Sequence, residues 1–196
     1  MESARRRTSL ADAFSRVPRE RFLPEDQREL ADVNVPLPIG QGQTNSQPST
    51  VVDMLELLDA QPGNRVLDLG SGSGWTTALL AVLVGAEGQV IGVERQHDLV
   101  AISREVLAGF DFANLRIVEA TPGTFGLPAE APFDRILVSA ETDSLPTTLI
   151  EQLDRRGVMV IPVAGTMLRV ERIGPGAEDV SVTRHGRYSF VPLIED

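Results

Sequence analysis

The sequence predicts an α/β fold built on a doubly wound, mostly parallel β-sheet whose last strands are antiparallel. From Arg65 onward, short apolar runs alternate with segments of helical periodicity, which is the pattern of βαβ units. A glycine-rich turn follows the first of these runs, and no helical pattern occurs beyond Ile161. These observations indicate parallel strands joined by helices and then antiparallel strands at the C-terminus.

The composition is that of a globular protein, and the charge excludes several classes of function. The chain has 196 residues, 42% hydrophobic and 23% charged, so we expect one domain over residues 1–196. A formal net charge of −10 argues against nucleic-acid binding, which depends on clustered Lys and Arg. The one basic run, Arg5–Arg7, is interpreted as a solvated tail. Without cysteine and with only two histidines, no metal site is expected.

The N-terminus lacks the apolar segment of a signal peptide, and no apolar run is long enough to span a membrane. We therefore expect a cytoplasmic protein that does not bind membranes.

The first part of the chain, residues 1–62, is predicted to form a helical and loop extension. Apolar residues at helical spacing predict a helix over residues 9–17, with Ser9 as a possible cap and Pro18 closing it. From Leu23 to Pro48, prolines and glycines alternate with polar residues, so we expect a long functional loop without regular structure. A second helix is expected directly after this loop and ends before Pro62.

The central core, residues 63–163, is predicted to alternate strands with helices, and residues 164–196 to form a C-terminal β segment. The predicted core strands lie near Val66–Leu69, Val90–Glu94, Leu115–Val118, Arg135–Val138 and Val158–Val163. The predicted core helices lie near Trp75–Val84, Asp98–Leu107 and Pro146–Leu153. The predicted C-terminal strands are Met167–Ile173, Val180–Arg184 and Tyr188–Leu193.

A strand, a glycine-rich turn and a helix start follow one another from Arg65 to Trp75. Gly70, Gly72 and Gly74 allow a sharp turn and a close approach of a ligand, and the first helical amides are expected to be free to donate. Glu94 ends the next predicted strand, where a carboxylate can accept hydrogen bonds from both ribose hydroxyls. Together these features predict a site for an adenosine-containing cofactor.

The spacing of the glycines distinguishes between cofactors. A dinucleotide site has the pattern G-x-G-x-x-G, whereas this turn reads G-x-G-x-G and follows a strand that carries Asp68. This pattern resembles the S-adenosylmethionine loop of class I methyltransferases, whose fold is Rossmann-like. The resemblance implies that Asp68 lies near the amino-acid end of the cofactor; the alternative is an acid that solvates the strand end.

The long loop narrows the resemblance to one family. Residues 36–48, PLPIGQGQTNSQP, closely resemble the signature loop of the protein-L-isoaspartate O-methyltransferases, usually written PLPIGxGQTISQP. Further matches occur at Val17–Phe22, Val93–Arg95, Ala131–Asp134, Leu145-Pro146, Gly157–Val163 and Phe190–Leu193. The resemblance therefore covers nearly the whole chain, from Arg16 to Leu193.

The resemblance implies methyl transfer from S-adenosylmethionine to the α-carboxylate of an isoaspartyl residue, the first step in repairing damaged Asp and Asn sites. The product cofactor would be S-adenosylhomocysteine, the partner an isoaspartyl protein or peptide, and we expect a monomer. Ser46 and Thr44 are the implied catalytic residues, although Ser46 could instead cap the helix near Pro48. A carboxylate is already ionised at pH 7, so the reaction needs placement and exclusion of water rather than a strong base.

The resemblance also implies the remaining site residues. Those expected to bind the cofactor are Asp68, Gly70, Ser71, Gly72, Gly74, Glu94, Arg95, Pro122 and Gly123. Those expected to bind the substrate are Ile39, Gly40, Gln41, Gln43, Asn45, Val191 and Pro192.

Three departures from the family pattern bear on the site. Pro122 stands where the family has the Asp of Gly-Asp-Gly beside the adenine, and Glu119 or Glu141 is near enough in sequence to compensate. Asn45 replaces the usual Ile and is expected to face either the substrate or solvent. The segment Glu141–Asp143 adds negative charge near the expected cleft, where it would repel a carboxylate substrate.

Three alternatives stay open. A methyltransferase of the same descent could esterify an Asp in one dedicated peptide, which the three departures favour. A non-catalytic domain could bind a peptide through the altered cleft. A nicotinamide oxidoreductase is disfavoured by the spacing of the glycines.

Overall fold

The computed structural model describes residues 10–194, and its centre is a seven-stranded sheet. The α-helices are α1 (residues 10–16), α2 (Pro48–Leu58), α3 (Trp75–Val84), α4 (His97–Ala108) and α5 (Thr147–Ile150). The strands are β1 (Leu37–Gly40), β2 (Gln43–Asn45), β3 (Arg65–Leu69), β4 (Gln89–Glu94), β5 (Leu115–Glu119), β6 (Phe133–Val138), β7 (Leu153–Val163), β8 (Thr166–Arg172) and β9 (Val180–Arg187). Short 3-10 helices cover Arg19–Phe22, Glu25–Leu30 and Pro128–Glu130. Ser9 and Arg5–Arg7 lie outside the described residues.

The sheet has the order β5-β4-β3-β6-β7-β8-β9. The first five strands in this order pair in parallel, and β8 and β9 extend the sheet antiparallel, which confirms the predicted class. Because β4 and β6 lie on opposite sides of β3, the strand order reverses at β3. Such a reversal opens a crevice at the carboxyl ends of the strands.

Both faces of the sheet are buried, since successive side chains of each strand point to opposite faces. Val66, Val90 and Leu137 pack into a core with α1, α2, α3 and α4. Leu67 and Ile91 point to the other face and pack with α5 and with the inner side chains of β7 and β8. This burial on two faces explains why the central strands are continuous apolar runs.

The expectation of an irregular loop from Leu23 to Pro48 is wrong in part. This segment contains the second 3-10 helix and a two-stranded antiparallel hairpin, β1–β2. In the hairpin Leu37 pairs with Asn45 and Pro38 with Thr44. Proline is compatible with these strands because each has only one neighbour, so an outward-facing N–H is not needed. The hairpin turns at Gly40, Gln41 and Gly42, all of which have positive φ angles.

Two predicted elements near the C-terminus are also corrected. The helix predicted over Pro146–Leu153 is only the one-turn α5, because Leu153 already pairs with Phe133 in the sheet. Tyr188–Leu193 is not a strand: β9 continues to Arg187, and the chain beyond it makes an isolated bridge between Pro192 and Glu141.

Helix α2 begins at Pro48 as predicted, but its N-cap is Gln47. The alternative that Ser46 caps this helix is therefore wrong. Across residues 10–194, no helix combines the length and the apolar character needed to cross a membrane.

Candidate active site

A cleft opens at the carboxyl ends of β3, β4, β5 and β6, where the change of strand order places it. It encloses about 670 Å³, part of it open to solvent. The predicted residues that line it are Gln43, Thr44, Gly70, Gly72, Glu94, Arg95, Val191 and Pro192. The lining residues that the sequence analysis did not single out are Leu69, Val93, Ala120, Thr124, Phe125, Ser139, Ala140, Leu193 and Ile194.

A second, more polar space of about 340 Å³, part of it open to solvent, adjoins this cleft. Its predicted lining residues are Ile39, Thr44, Asn45, Ser46, Gly70, Ser71 and Gly72, and those not predicted are Ser73, Trp75, Thr76 and Ser139. Thr44, Gly70, Gly72 and Ser139 line both spaces, so the two lie side by side along these residues. The site thus consists of a cleft with both apolar and polar walls and, beside it, a chamber lined by several hydroxyl groups.

Glu94 ends β4 inside the cleft and is only 5% exposed. Its Oε2 accepts a hydrogen bond from the Gly72 N–H at 2.8 Å, and its Oε1 accepts one from the Gln96 N–H at 2.8 Å. Each carboxylate oxygen has a second lone pair, so the group can still accept ribose hydroxyls while its position is fixed.

The amides of the glycine-rich turn itself are bonded within the protein; the amides predicted to be free are those that begin α3, and these bonds do not test that prediction. The N–H groups of Gly70 and Ser71 both donate to the carbonyl of Val93, at 2.8 and 3.0 Å. The turn is therefore tied to the end of β4, and its side chains and exposed backbone, rather than these amides, face the cavity.

Gly72 lies where the turn and the β1–β2 hairpin approach each other. Its φ of +54° is in the left-handed region, and a Cβ atom there would lie 3.2 Å from Cδ1 of Ile39. A side chain would both strain the backbone and fill the narrow space that the glycine leaves open. This cradle is what close approach of a cofactor requires.

Asp68 is completely buried beneath the turn, so it does not solvate the strand end. Its Oδ2 accepts hydrogen bonds from the hydroxyls of Thr76 at 2.9 Å and Thr77 at 2.6 Å. Burial raises the pKa of Asp68 to about 6, and these hydrogen bonds oppose that rise only in part. Oδ1 has no hydrogen-bond partner among the described residues. Asp68 lines neither space, so its carboxylate would act on an ammonium group in the chamber through its electrostatic field rather than by direct contact.

The two predicted catalytic hydroxyls lie on the hairpin side of the site. Thr44 is exposed in β2, and Ser46 is half-buried in the segment between β2 and α2. Thr44 lines both spaces and Ser46 lines the polar chamber.

Asn45 does not face solvent, but it lines the polar chamber together with Thr44 and Ser46. It is buried, its Oδ1 accepts a hydrogen bond from Arg19 Nε at 2.8 Å, and its Nδ2 donates to Ser73 Oγ at 3.2 Å. The alternation of a β-strand explains why the side chain of Asn45 is buried whereas that of Thr44 is exposed.

The wall expected to meet the adenine is built differently from the prediction. Pro122 and Gly123 are exposed and do not line the two spaces, whereas Thr124 and Phe125 line the cleft. The Glu119 carboxylate lies 3.0 Å from His97 Nδ1, and neither Glu119 nor Glu141 lines these spaces.

Gln152, a residue that the sequence analysis missed, holds this wall. It is buried, its Oε1 accepts the Leu127 N–H at 2.8 Å, and its Nε2 donates to the carbonyls of Phe125 at 2.8 Å and Thr148 at 2.9 Å. The only signal for it in the sequence is Gly126, where a Cβ atom would collide with the Gln152 side chain.

Three further predicted residues lie outside the walls of both spaces. Gly40 and Gln41 form the hairpin tip, where Gln41 Nε2 donates to Asp98 Oδ2 at 2.7 Å. Gly74 is the N-cap of α3, with φ +88°. These residues shape the site without lining it.

The residues present fit an adenosine attached to an amino acid: a fixed carboxylate for the ribose, an apolar wall at Phe125 and Val93, and a chamber of hydroxyls above Asp68. The described part of the chain holds no group of three His, Cys, Asp or Glu side chains that could bind a metal ion.

Comparisons with known proteins agree with this interpretation of the site. Residues 2–196 match the model of the family described as protein-L-isoaspartate(D-aspartate) O-methyltransferase. A Methanopyrus kandleri protein-L-isoaspartate O-methyltransferase is 44% identical over 191 residues, covering 96% of this chain and 84% of that protein. A Methanocella arvoryzae protein of the same name is 42% identical over 181 residues, covering 92% and 96%.

Solved structures agree on the fold. A protein-L-isoaspartate O-methyltransferase structure superposes with a TM-score of 0.84 at 24% identity, covering 94% of this chain, and the chain spans 61% of that protein's length. A Plasmodium falciparum structure, described as an enzyme of the same kind in complex with S-adenosyl-L-homocysteine, gives a TM-score of 0.82 at 26% identity and covers 100% of this chain and 96% of its own.

Proposed function

The chain belongs to the protein-L-isoaspartate O-methyltransferase family, and from this we propose that it methylates the α-carboxylate of L-isoaspartyl residues in damaged proteins and peptides. The methyl donor is S-adenosylmethionine, which supplies a methyl group on a positively charged sulfur. The observation that carries the proposal is that the two spaces adjoin and share four lining residues, with Glu94 in the larger and Ser46 in the smaller. One site can therefore hold a cofactor and a carboxylate end to end.

We place the cofactor by the chemistry of the walls. Glu94 accepts the ribose hydroxyls, and Phe125 contacts the adenine from a wall that Gln152 holds. Ser71, whose Oγ is buried without a hydrogen-bond partner among the described residues, offers a hydroxyl to the amino-acid end. Asp68 beneath it favours the ammonium group electrostatically.

Thr44 and Ser46 orient the isoaspartyl carboxylate. The substrate is ionised at neutral pH, so these hydroxyls act as hydrogen-bond donors and no proton must be removed. A bond forms between the carboxylate oxygen and the methyl carbon as the bond from carbon to sulfur breaks. The two opposite charges cancel in this step, so exclusion of water by the hairpin and by Val191 and Pro192 favours it.

Two finer expectations belong to the same proposal. We expect the chain to act as a monomer, and we expect it to act in the cytoplasm on proteins rather than nucleic acid. The net charge of −10 argues against nucleic acid as the substrate. Sedimentation of the purified protein tests whether it is a monomer.

The test is methyl transfer to a matched pair of peptides that differ only in isoaspartate or normal aspartate. With labelled S-adenosylmethionine, base-labile methyl esters are expected on the isoaspartyl peptide alone. Ser46→Ala should lower kcat, whereas Ser181→Ala, on the exposed edge strand β9, should not. Labelling of neither peptide while the cofactor binds would contradict the proposal and favour a dedicated Asp-containing substrate.

A further inference from the structure

Arg19 is a buried cation that the catalytic scheme does not use. It lies on the first 3-10 helix and is 6% exposed, and burial lowers its pKa from the ordinary value. The five N–H groups of its guanidinium contact six acceptors, one N–H being shared between two of them, and all six acceptors are neutral oxygen atoms. A buried charge is costly to desolvate, so this arrangement has to be fully bonded to be stable.

The six acceptors lie before the β1–β2 hairpin and at its C-terminal end, where Asn45 is the last residue of β2. Before the hairpin they are the carbonyls of Ala31, Val33 and Val35, at 3.2, 3.1 and 2.8 Å. At its C-terminal end they are the Asn45 side chain and the carbonyls of Asn45 and Ser46, at 2.8, 3.2 and 3.1 Å. One guanidinium thus holds both ends of the hairpin and binds the backbone of the residue expected to orient the substrate.

The contact continues from Arg19 into the cofactor side of the site. The Asn45 amide that accepts from Arg19 also donates to Ser73 Oγ, in the glycine-rich turn. Ser73 lines the polar chamber together with Ser46. The ring of Trp75 lies 5.5 Å from Cζ of Arg19, and its Nε1 donates to the Val17 carbonyl at 3.1 Å. These contacts join the N-terminal extension, the hairpin and the turn in one network.

We propose that Arg19 is a positioning residue for methyl transfer, and that it acts through Asn45 and the Ser46 backbone to fix the hairpin against the glycine-rich turn. This rests on the proposed function, because Ser46 and the turn are taken to hold the two reactants. A displacement of about 1 Å between reactants can lower the rate about a hundredfold. A rigid link between the hairpin and the glycine-rich turn therefore raises kcat.

The proposal depends on chemistry that close replacements lack. A lysine has one nitrogen with three donors and cannot reach acceptors on both sides of the hairpin, whereas the planar guanidinium can. An isoleucine at position 45, the residue usual in the resembled family, has no polar atom and leaves Arg19 Nε and Ser73 Oγ without this partner.

The test measures three variants: Arg19→Lys, Asn45→Ile and the double variant that combines them. Each is compared with the control variant Arg21→Lys. Arg21 lies on the same 3-10 helix, but its guanidinium stacks on Phe110 and donates to the Gly109 carbonyl, so it is a matched control. Measurements are kcat at saturating cofactor and isoaspartyl peptide, the Kd of S-adenosylmethionine by calorimetry, and amide hydrogen exchange over residues 37–47.

Arg19→Lys and Asn45→Ile are each expected to lower kcat about tenfold or more, with Kd changed by less than about threefold. The hairpin amides should exchange faster in both, and the double variant should be no slower in turnover than the worse single variant, since both remove one network. A purely structural role would instead reduce the fraction of cofactor-binding protein and leave kcat per bound cofactor unchanged.

Hairpin exchange equal to that of Arg21→Lys in both single variants, or additive losses of kcat in the double variant, would overturn the proposal. If Arg19→Lys does not fold, Asn45→Ile alone decides: an unchanged kcat, or hairpin exchange equal to that of Arg21→Lys, would overturn the proposal. A wild-type protein that binds cofactor but leaves the isoaspartyl peptide unlabelled overturns the proposed function instead, while hydrogen exchange still shows whether Arg19 holds the hairpin.

Discussion

At the scale of single residues, Glu94 joins the fold to the chemistry. Its two oxygens accept amide hydrogen bonds from Gly72 and Gln96, which fix the carboxylate and the turn together. The sequence analysis could place Glu94 because an acid at the end of the second strand has a known geometric meaning. It could not place Arg19, Ser73 or Gln152, whose partners lie far away in the chain and leave no spacing pattern.

Replacing Glu94 tests its role in the site. Glu94→Gln removes the negative charge and turns one acceptor oxygen into a donor, so both the Gly72 contact and the ribose contact weaken. We expect the Kd of S-adenosylmethionine to rise about tenfold or more, since bonds to a charged group contribute about 1.5–3 kcal/mol. Calorimetry measures it, and Glu87→Gln, on an exposed turn, is the control. Equal affinity in Glu94→Gln would remove this carboxylate from the site.

At the scale of helices and strands, the sequence patterns predicted the parallel core well but missed the β1–β2 hairpin. The parallel core was predictable because strands buried on both faces are continuous apolar runs and the helices between them are periodic. The β1–β2 hairpin was not, because its strands have only four and three residues and lie among prolines and glycines, too short for a pattern of alternation. The segment from Tyr188 to Leu193 has strand-like composition, yet it crosses the cleft and pairs only at Pro192.

The wall formed by residues 124–127 is held by Gln152, and replacing Gln152 tests whether this wall supports cofactor binding. Gln152→Leu removes the hydrogen bonds to Phe125 and Leu127 while keeping the approximate volume of the side chain. We expect the wall to loosen and the Kd of S-adenosylmethionine to rise about threefold to tenfold, which equilibrium binding measures. Gln61→Leu, at an exposed position before β3, should leave the Kd unchanged. An unchanged Kd in Gln152→Leu would show that the wall is held by other contacts.

At the scale of the whole molecule, a single buried acid links stability to pH. The pKa of Asp68 is about 6 in the folded protein against an ordinary value of 3.8, so the folded state holds this proton more tightly than the unfolded state. Its contribution is therefore complete below about pH 4 and is lost as the pH rises through about 6, at a cost of up to about 3 kcal/mol.

Asp68→Asn removes this titration. The free energy of unfolding of the variant relative to the wild type should rise between pH 4 and pH 7, by up to about 3 kcal/mol. Urea denaturation of the cofactor-free proteins at several pH values measures it, and the other ionisable groups cancel in the difference. A difference that does not change over this range would mean that Asp68 titrates normally.

The overall topology followed from sequence to a greater extent than the site did. Three glycines, one acid and the change of strand order are enough to locate a cofactor cleft, because the end of a parallel sheet can bind a ligand in few ways. The orientation of the hairpin over that cleft depends on a buried guanidinium with neutral acceptors, an arrangement that sequence periodicity does not encode.

The central claim is that this cleft repairs isoaspartyl sites, and conversion of the substrate tests it most directly. An isoaspartyl peptide is incubated with the protein and S-adenosylmethionine at neutral pH, and the isoaspartyl and aspartyl forms are separated by chromatography. Methyl esterification makes the carboxyl group more reactive toward the neighbouring backbone nitrogen, so ring closure expels methanol. Water then opens the ring at either carbonyl and gives both aspartate and isoaspartate, and the isoaspartate can be methylated again. We predict that the isoaspartyl form declines and the aspartyl form accumulates only when cofactor is present; an isoaspartyl peptide that persists unchanged beside cofactor-bound protein would contradict the account.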